Sequence, residues 1–315
     1  MLMRMSRVDL VKGGLIILVI AGHLLPGEFH ANLARWIIYS FHMPLFTAVS
    51  GYLFSWEKMR EFRFADVVRK YWRRPVLPWL VALAVYAAVD TAPGSLLSAA
   101  YWAGFLGHFI RPFFHLWFIA AYLFWVLLSW ALLHLRLSLP WILLTGSLLS
   151  FGSELLRHWI PPLTGNHFSG ADTFLYTLHP NYYVFFVLGG FFRRYNAGLS
   201  VGWVVPATLL LLTAEVLLFY YPNEPAEAVV FFLYNFCLIR LMVAFVEGRP
   251  SRHYRLPEWI GVHSLAIYLW HVLPLIIVFR LHLASALQFY LLNAALMTVL
   301  FLGVWMTARI RQRLR

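Results

Sequence analysis

Residues 7–23 read Arg-Val-Asp-Leu-Val-Lys-Gly-Gly-Leu-Ile-Ile-Leu-Val-Ile-Ala-Gly-His. Three charges fall in the first six positions, and none follows until His23. Lys12, Ile16, Val19 and His23 recur at i, i+4, i+7 and i+11, so a helix carries them on one face. Lys12 and His23 are then ~16 Å apart along the axis. A basic start, an apolar run and an ionisable residue towards the far end describe a membrane helix entered from the cytoplasmic side, with a polar group in its outer third. Pro26, Gly27, Glu28 and Phe29 come next in place of a small-residue cleavage site, so the segment is expected to stay in the protein.

Apolar runs of this kind recur along the whole chain of 315 residues. Hydrophobic residues make up 62% of it and charged ones 12%, against ~25% charged in a soluble domain. The mean hydropathy is +0.72. These values exclude a soluble enzyme, a disordered chain and a collagen-like repeat. The runs are continuous rather than alternating, which excludes a transmembrane barrel. The expected fold is all-α, a polytopic helical bundle forming one domain over 1–315. Ten spans are expected, at 8–26, 35–54, 75–91, 113–133, 139–157, 174–192, 200–221, 226–246, 260–280 and 285–308. The apolar segment 95–110 is short, holds Gly104 and Gly107, and reads as re-entrant or interfacial.

The basic residues orient this map. With the N-terminus inside, the inner segments hold twenty Lys and Arg residues and the outer segments four: Arg35, Arg111, Arg157 and Arg280. Both termini are therefore expected in the cytoplasm. The net charge of +12 reflects topology rather than a nucleic-acid partner. The single cysteine, Cys237, rules out an intrachain disulfide and a zinc site built on several thiolates. No metal is expected.

Polar groups inside spans are the candidates for function. His23 has a counterpart at similar depth, His42, in Phe41-His-Met-Pro44-Leu-Phe46, a stretch that runs on to Ser50-Gly-Tyr-Leu-Phe54. Pro44 lacks an N–H and frees the carbonyl of Ser40. On the inner side, Arg69-Lys70-Tyr-Trp-Arg73-Arg74 precedes the third span, and Arg forks match phosphate oxygens. Arg7 and Lys12 lie at the same rim. His115 and Trp117 open a middle span from outside; Ser264, Tyr268 and His271 fall in the ninth. Each also has a plainer reading: Lys12 paired with Asp9 at i, i+3, histidines bonded to neighbouring helices, basic loops as topology anchors. Glu154, Glu215 and Arg240 are further intramembrane ionisables. The outer loop 158–173 is expected to shape the choice of substrate.

Taken in order, these blocks resemble the membrane acyltransferase-3 family, in particular its standalone branch related to fucose 4-O-acetylases. The resemblance rests on Arg7-x-Asp9-x-x-Lys12-Gly with His23, on Phe41 to Phe54, on Arg69 to Pro78, on His115-Leu-Trp117 and on Ser264 to His271. It implies a multi-pass enzyme of the bacterial cytoplasmic membrane. Such an enzyme moves an acyl group, usually acetyl, from cytoplasmic acyl-CoA to a hydroxyl of an extracytoplasmic or lipid-linked carbohydrate. No permanently bound cofactor is implied; acyl-CoA is the donor substrate. His23, His42 and Ser50 become the expected catalytic residues, and Arg7, Lys12, Arg69, Lys70, Arg73 and Arg74 the donor-binding ones. Asp9, His115, Trp117, Ser264, Tyr268 and His271 support them. Much of the family has Arg where Lys12 stands, so a bidentate fork is lost at this position. Some members carry a secreted hydrolase-like domain that has no counterpart here, so no second catalytic step is expected. A transporter or flippase for a glycolipid or small solute would use the same intramembrane residues, and a structural membrane protein is the third reading.

The charge map makes a direct prediction. A cysteine at Asn223 reacts with an impermeant thiol reagent in intact cells, and one at Arg63 reacts only after lysis. Labelling of Arg63 in intact cells inverts the map.

Overall fold

The structure, a computed structural model, describes residues 2–27, 29–90, 98–159, 175–195, 201–248, 254–281, 283 and 285–313. Most of the 158–173 loop, residues 160–174, lies outside them. Among the described residues every regular element is helical and none is a strand. In chain order the helices are α1 (Leu2–Leu24), α2 (Leu33–Leu53), α3 (Trp56–Met59), α4 (Phe64–Tyr71), α5 (Leu77–Asp90), α6 (Ala99–Ile110), α7 (Trp117–His134) and α8 (Leu139–Trp159). They continue with α9 (Tyr183–Tyr195), α10 (Val204–Tyr220), α11 (Glu224–Glu247), α12 (Arg255–Val262), α13 (Ser264–Trp270), α14 (Val272–Arg280) and α15 (Ala286–Arg313). Side-chain caps account for several starts: Asn32 accepts from the N–H of Arg35 at 3.1 Å, Ser98 from that of Tyr101 at 3.2 Å, and Asn223 from that of Ala226 at 3.1 Å.

Each expected span contains helix, but the sixth, drawn as one rod over 174–192, is corrected: the chain leaves the helix at 178–179, passes through a turn at Pro180–Tyr182, where Pro180 lacks an N–H, and resumes only as α9. Four helices are long and apolar enough to cross a bilayer: α7, α8, α11 and α15. Among the described residues a fifth crossing comes from joining α12 to Ser264–Arg280 across a bend of 70°. The ninth expected span, drawn as one rod over 260–280, is thus corrected to a helix that begins at Arg255 and breaks at His263 and again at His271. The twelve residues of α6 reach ~18 Å, short of the ~30 Å hydrocarbon core. The 95–110 segment is therefore no full span by itself.

The chain divides into two compact units. Residues 27–250 form one, and residues 1–26 with 251–315 form the other. In the larger unit the centre is α9. Its sequence is apolar on all sides, and Tyr183 to Gly190 are all buried, as such a helix requires. It packs on α2 and α8, while α11 lies against α2, α9 and α10. The α2–α9 contact is backbone to backbone. A Cβ on Gly51 would run into the carbonyl of Phe186, and one on Gly189 into that of Ala48. Small residues let two membrane helices approach this closely and gain van der Waals contact where no hydrophobic drive exists.

Pro44 shapes the same region. It cannot donate to the carbonyl of Ser40, and water is not at hand to replace it. Asn235 of α11 supplies the missing donor: its Nδ2 bonds the Ser40 carbonyl at 2.8 Å and its own Phe231 carbonyl at 2.8 Å. The side chain is fully buried. Asn235→Ala is expected to destabilise the protein by about 1 kcal/mol, up to roughly 2. The loss should shrink once Pro44→Ala restores the helix's own donor. Reversible unfolding in mixed micelles of the two single variants and the double variant measures this, and strict additivity would refute the link.

Candidate active site

In the smaller unit α1 lies along α12, and glycines again set the distance. A Cβ on Gly13 would meet the carbonyl of Pro257, and one on Gly261 the carbonyl of Asp9. Near the middle of α1, Lys12 Nζ pairs with Asp9 Oδ1 at 2.8 Å, as the i, i+3 spacing predicts. Farther along, His23 sits in the last turn of α1. The α12–α13 break falls at His263, whose Nδ1 donates to the Trp259 carbonyl at 2.8 Å. Ser264 is the buried first residue of α13, and Tyr268 is buried one turn on. His271 stands at the second break and is fully buried.

His23 and His271 come together here. Their rings stack with centroids 5.3 Å apart and 29° between planes. The Tyr268 ring is 6.1 Å from that of His271. His271 Nδ1 donates to the Tyr268 carbonyl at 2.8 Å. A carbonyl only accepts, so Nδ1 holds the proton and the neutral ring keeps its lone pair on Nε2. One imidazole is fixed in tautomer and orientation, and a second, half-buried one lies over it. Such a pair can take a proton and hold it out of bulk water.

The remaining candidates lie in the larger unit. His42 is buried, its Nδ1 donates to the Ile38 carbonyl at 2.6 Å, and the Tyr39 ring meets it edge-on at 4.9 Å. Ser50 lies two turns farther along α2, ~12 Å from His42. Its hydroxyl donates to the Phe46 carbonyl at 3.0 Å, which leaves only lone pairs to offer. The structure does not bring these two together. His115 is buried against the Tyr86 ring at 5.1 Å. The Trp117 ring lies 3.8 Å from that of His179.

The basic run occupies the end of α4 and a π-helical turn, Trp72–Val76. Pro75 explains the turn, because it lacks the N–H that would continue the α ladder, and the next bond closes from Leu77 N–H to the Trp72 carbonyl. Arg69, Lys70, Arg73 and Arg74 are all exposed. Lys70 Nζ lies 5.4 Å from the rings of both Phe62 and Tyr71. Partial burial, and then Lys58, hold its pKa below the usual lysine value. A concentration of cations that repel one another invites an anion. Arg7 is half-buried on α1, in the other unit.

A family model described as an acyltransferase domain, that of the acyltransferase-3 family, matches residues 5–309. The chain belongs to this family. Nodulation protein NolL of Sinorhizobium fredii is 54% identical to it over 54 residues, a stretch covering 15% of this chain and 15% of that protein. No solved structure matches the chain. The family match favours the acyltransferase over the transporter and over a purely structural role.

Two features of this chain are not legible in its residues taken one by one. Asn235 is one, and the His179–Tyr182 turn the other. His179-Pro180 is the available signal, since a residue before proline is conformationally restricted. The partners could not be read from it, because Trp117 is distant in sequence.

The two adjacent glycines of α1 provide a test. Gly13→Ala is expected to cost about 2–3 kcal/mol or more, because the added carbon overlaps main chain that cannot step aside. Gly14 faces open space, so Gly14→Ala should be neutral or stabilising by up to ~1 kcal/mol. Equal effects in thermal unfolding of the purified variants would contradict the close α1–α12 approach.

Proposed function

We propose that the protein is a multi-pass O-acyltransferase of the bacterial cytoplasmic membrane. It has both termini inside and carries an acyl group, acetyl above all, from acyl-CoA to a hydroxyl of an extracytoplasmic or lipid-linked carbohydrate. The observation that carries this reading is the stacked His23–His271 pair in a chain matched to an acyltransferase domain over nearly its full length. Ester formation from a thioester needs no redox partner. The acceptor oxygen attacks the thioester carbonyl carbon, a C–O bond forms, the C–S bond breaks, and the proton passes from the hydroxyl by way of a base to the departing sulfur. In this reading His23 is that base. His271, locked by the Tyr268 carbonyl, is a positioning residue that keeps the His23 ring in place. His42 keeps a supporting role, with Nε2 as its one available ring nitrogen.

The donor's phosphates cannot enter hydrocarbon cheaply. The exposed run Arg69, Lys70, Arg73 and Arg74 is assigned to hold them; Arg7 and Lys12, on α1 of the smaller unit, are the sequence-based candidates for the same role. Lys12 contributes less than an unpaired cation would, because Asp9 already neutralises it.

Titrating acetyl-CoA against purified variants tests both assignments at once. His23→Ala should bind donor normally and lose ~10²–10⁴-fold in turnover. Arg73→Ala or Arg74→Ala should weaken donor binding by about one to two decades, with turnover recovering at saturation. Near-normal turnover in His23→Ala would remove the base, and unchanged donor affinity in both Arg variants would return the run to a topology anchor.

A further inference from the structure

The turn His179–Tyr182 is held with unusual firmness in an unfavourable shape. His179 has φ 42° and ψ 58°. Among the described non-glycine residues only Arg136 shares a positive φ. This conformation is costly for a residue with a Cβ and is disfavoured again immediately before a proline. Three contacts enforce it. Trp125 Nε1 donates to the His179 carbonyl at 3.2 Å, Ser150 Oγ donates to the Pro180 carbonyl at 3.0 Å, and Asn181 Nδ2 donates to Glu154 Oε2 at 2.9 Å. Strain kept in place by its surroundings concentrates at working sites.

The turn presents rings. Trp117 lies 3.8 Å from His179 and 5.7 Å from Tyr182, and His179 lies 5.5 Å from Tyr182. All three are half-buried. The indoles of Trp79 and Trp125 donate to main-chain carbonyls. That of Trp117 has no acceptor among the described residues. Asn181 is 4% exposed, and its Oδ1 has no donor among the described residues. The Glu154 carboxylate beside it accepts a hydrogen bond from Asn181, and a carboxylate has the lone pairs to accept more. The cluster thus combines flat apolar faces, an uncommitted N–H and acceptors that call for O–H groups. An anion would meet the Glu154 charge, and an alkyl chain would leave the Asn181 oxygen unanswered. A ring with a C–H face and several hydroxyls satisfies every part.

We propose that this cluster is the acceptor's sugar subsite, with a pyranose ring stacked at Trp117 and its hydroxyls met by the Glu154–Asn181 pair. The assignment rests on the acyltransferase reading and adds the residues that hold the acceptor.

The test uses the full-length enzyme, labelled acetyl-CoA and a glycan extract of the source cells stripped of its esters by mild base. Two quantities are followed: label transferred to the extract, and acetyl-CoA hydrolysed without it. Trp117→Ala is expected to raise the extract concentration for half-maximal transfer about tenfold. Trp117→Phe should restore much of this, and Glu154→Gln should behave like Trp117→Ala. In all three the KM for acetyl-CoA should change far less than the half-maximal extract concentration. Unchanged half-maximal concentrations would overturn the subsite. So would loss of hydrolysis along with transfer in both Trp117 variants, which would make the residue a fold element. If the unmodified enzyme hydrolyses acetyl-CoA but never labels the extract, the sugar subsite fails while the acyltransferase stands. If it does not turn over acetyl-CoA at all, the proposed function fails and the subsite with it.

Discussion

A main-chain carbonyl left without a donor inside hydrocarbon is the constraint on which the arrangement turns, because no water is present to relieve it. Wherever a helix ends or is interrupted, something must donate. Indoles add donors to main-chain carbonyls, at helix ends and within helices alike. Trp36 reaches the Glu215 carbonyl, Trp56 that of Gly51, Trp79 that of Leu116 and Trp130 that of Phe62. The abundance of tryptophan reads from composition as an interfacial belt. In these positions it is also a set of buried or part-buried clips onto main-chain carbonyls of other segments. Asn235 does the same at the gap opened by Pro44, and the π turn at Trp72 redistributes the bond that Pro75 removes.

What the sequence made legible and what it did not separate along this line. Most helix positions are legible, because each rests on a local run of apolar residues, and a few also on a local cap. The freed Ser40 carbonyl was also legible, since Pro44 announces it. Its answer was not, because Asn235 lies 195 positions away. The ninth span failed for a related reason. Its residues stay apolar across His263 and His271, so hydropathy alone cannot register a bend of 70°. The bend is what lets a histidine stand at a helix junction.

The candidate site was legible as a set of residues and not as an arrangement. His23 and His271 were each suspected separately, and their stacking joins the first helix to one near the end of the chain. Ser50 shows the opposite outcome. It has the right chemistry, yet its hydroxyl bonds back to its own helix, as serine and threonine in helices commonly do. Depth and residue type could not distinguish these two cases, because the difference lies in which face each helix presents to its neighbours.

The pairing of α1 with α12 has a consequence in time. A ribosome adding roughly 5–20 residues per second needs about 10–50 s to pass from the first helix to the residues that complete its unit. For that interval the glycine face of α1 and the Asp9–Lys12 pair must wait in the membrane without their final neighbours. The larger unit, encoded in between, has all its parts while the smaller one is still half made. The histidine pair is therefore among the last features of the molecule to exist, and an incomplete chain has a finished scaffold but no stacked imidazoles.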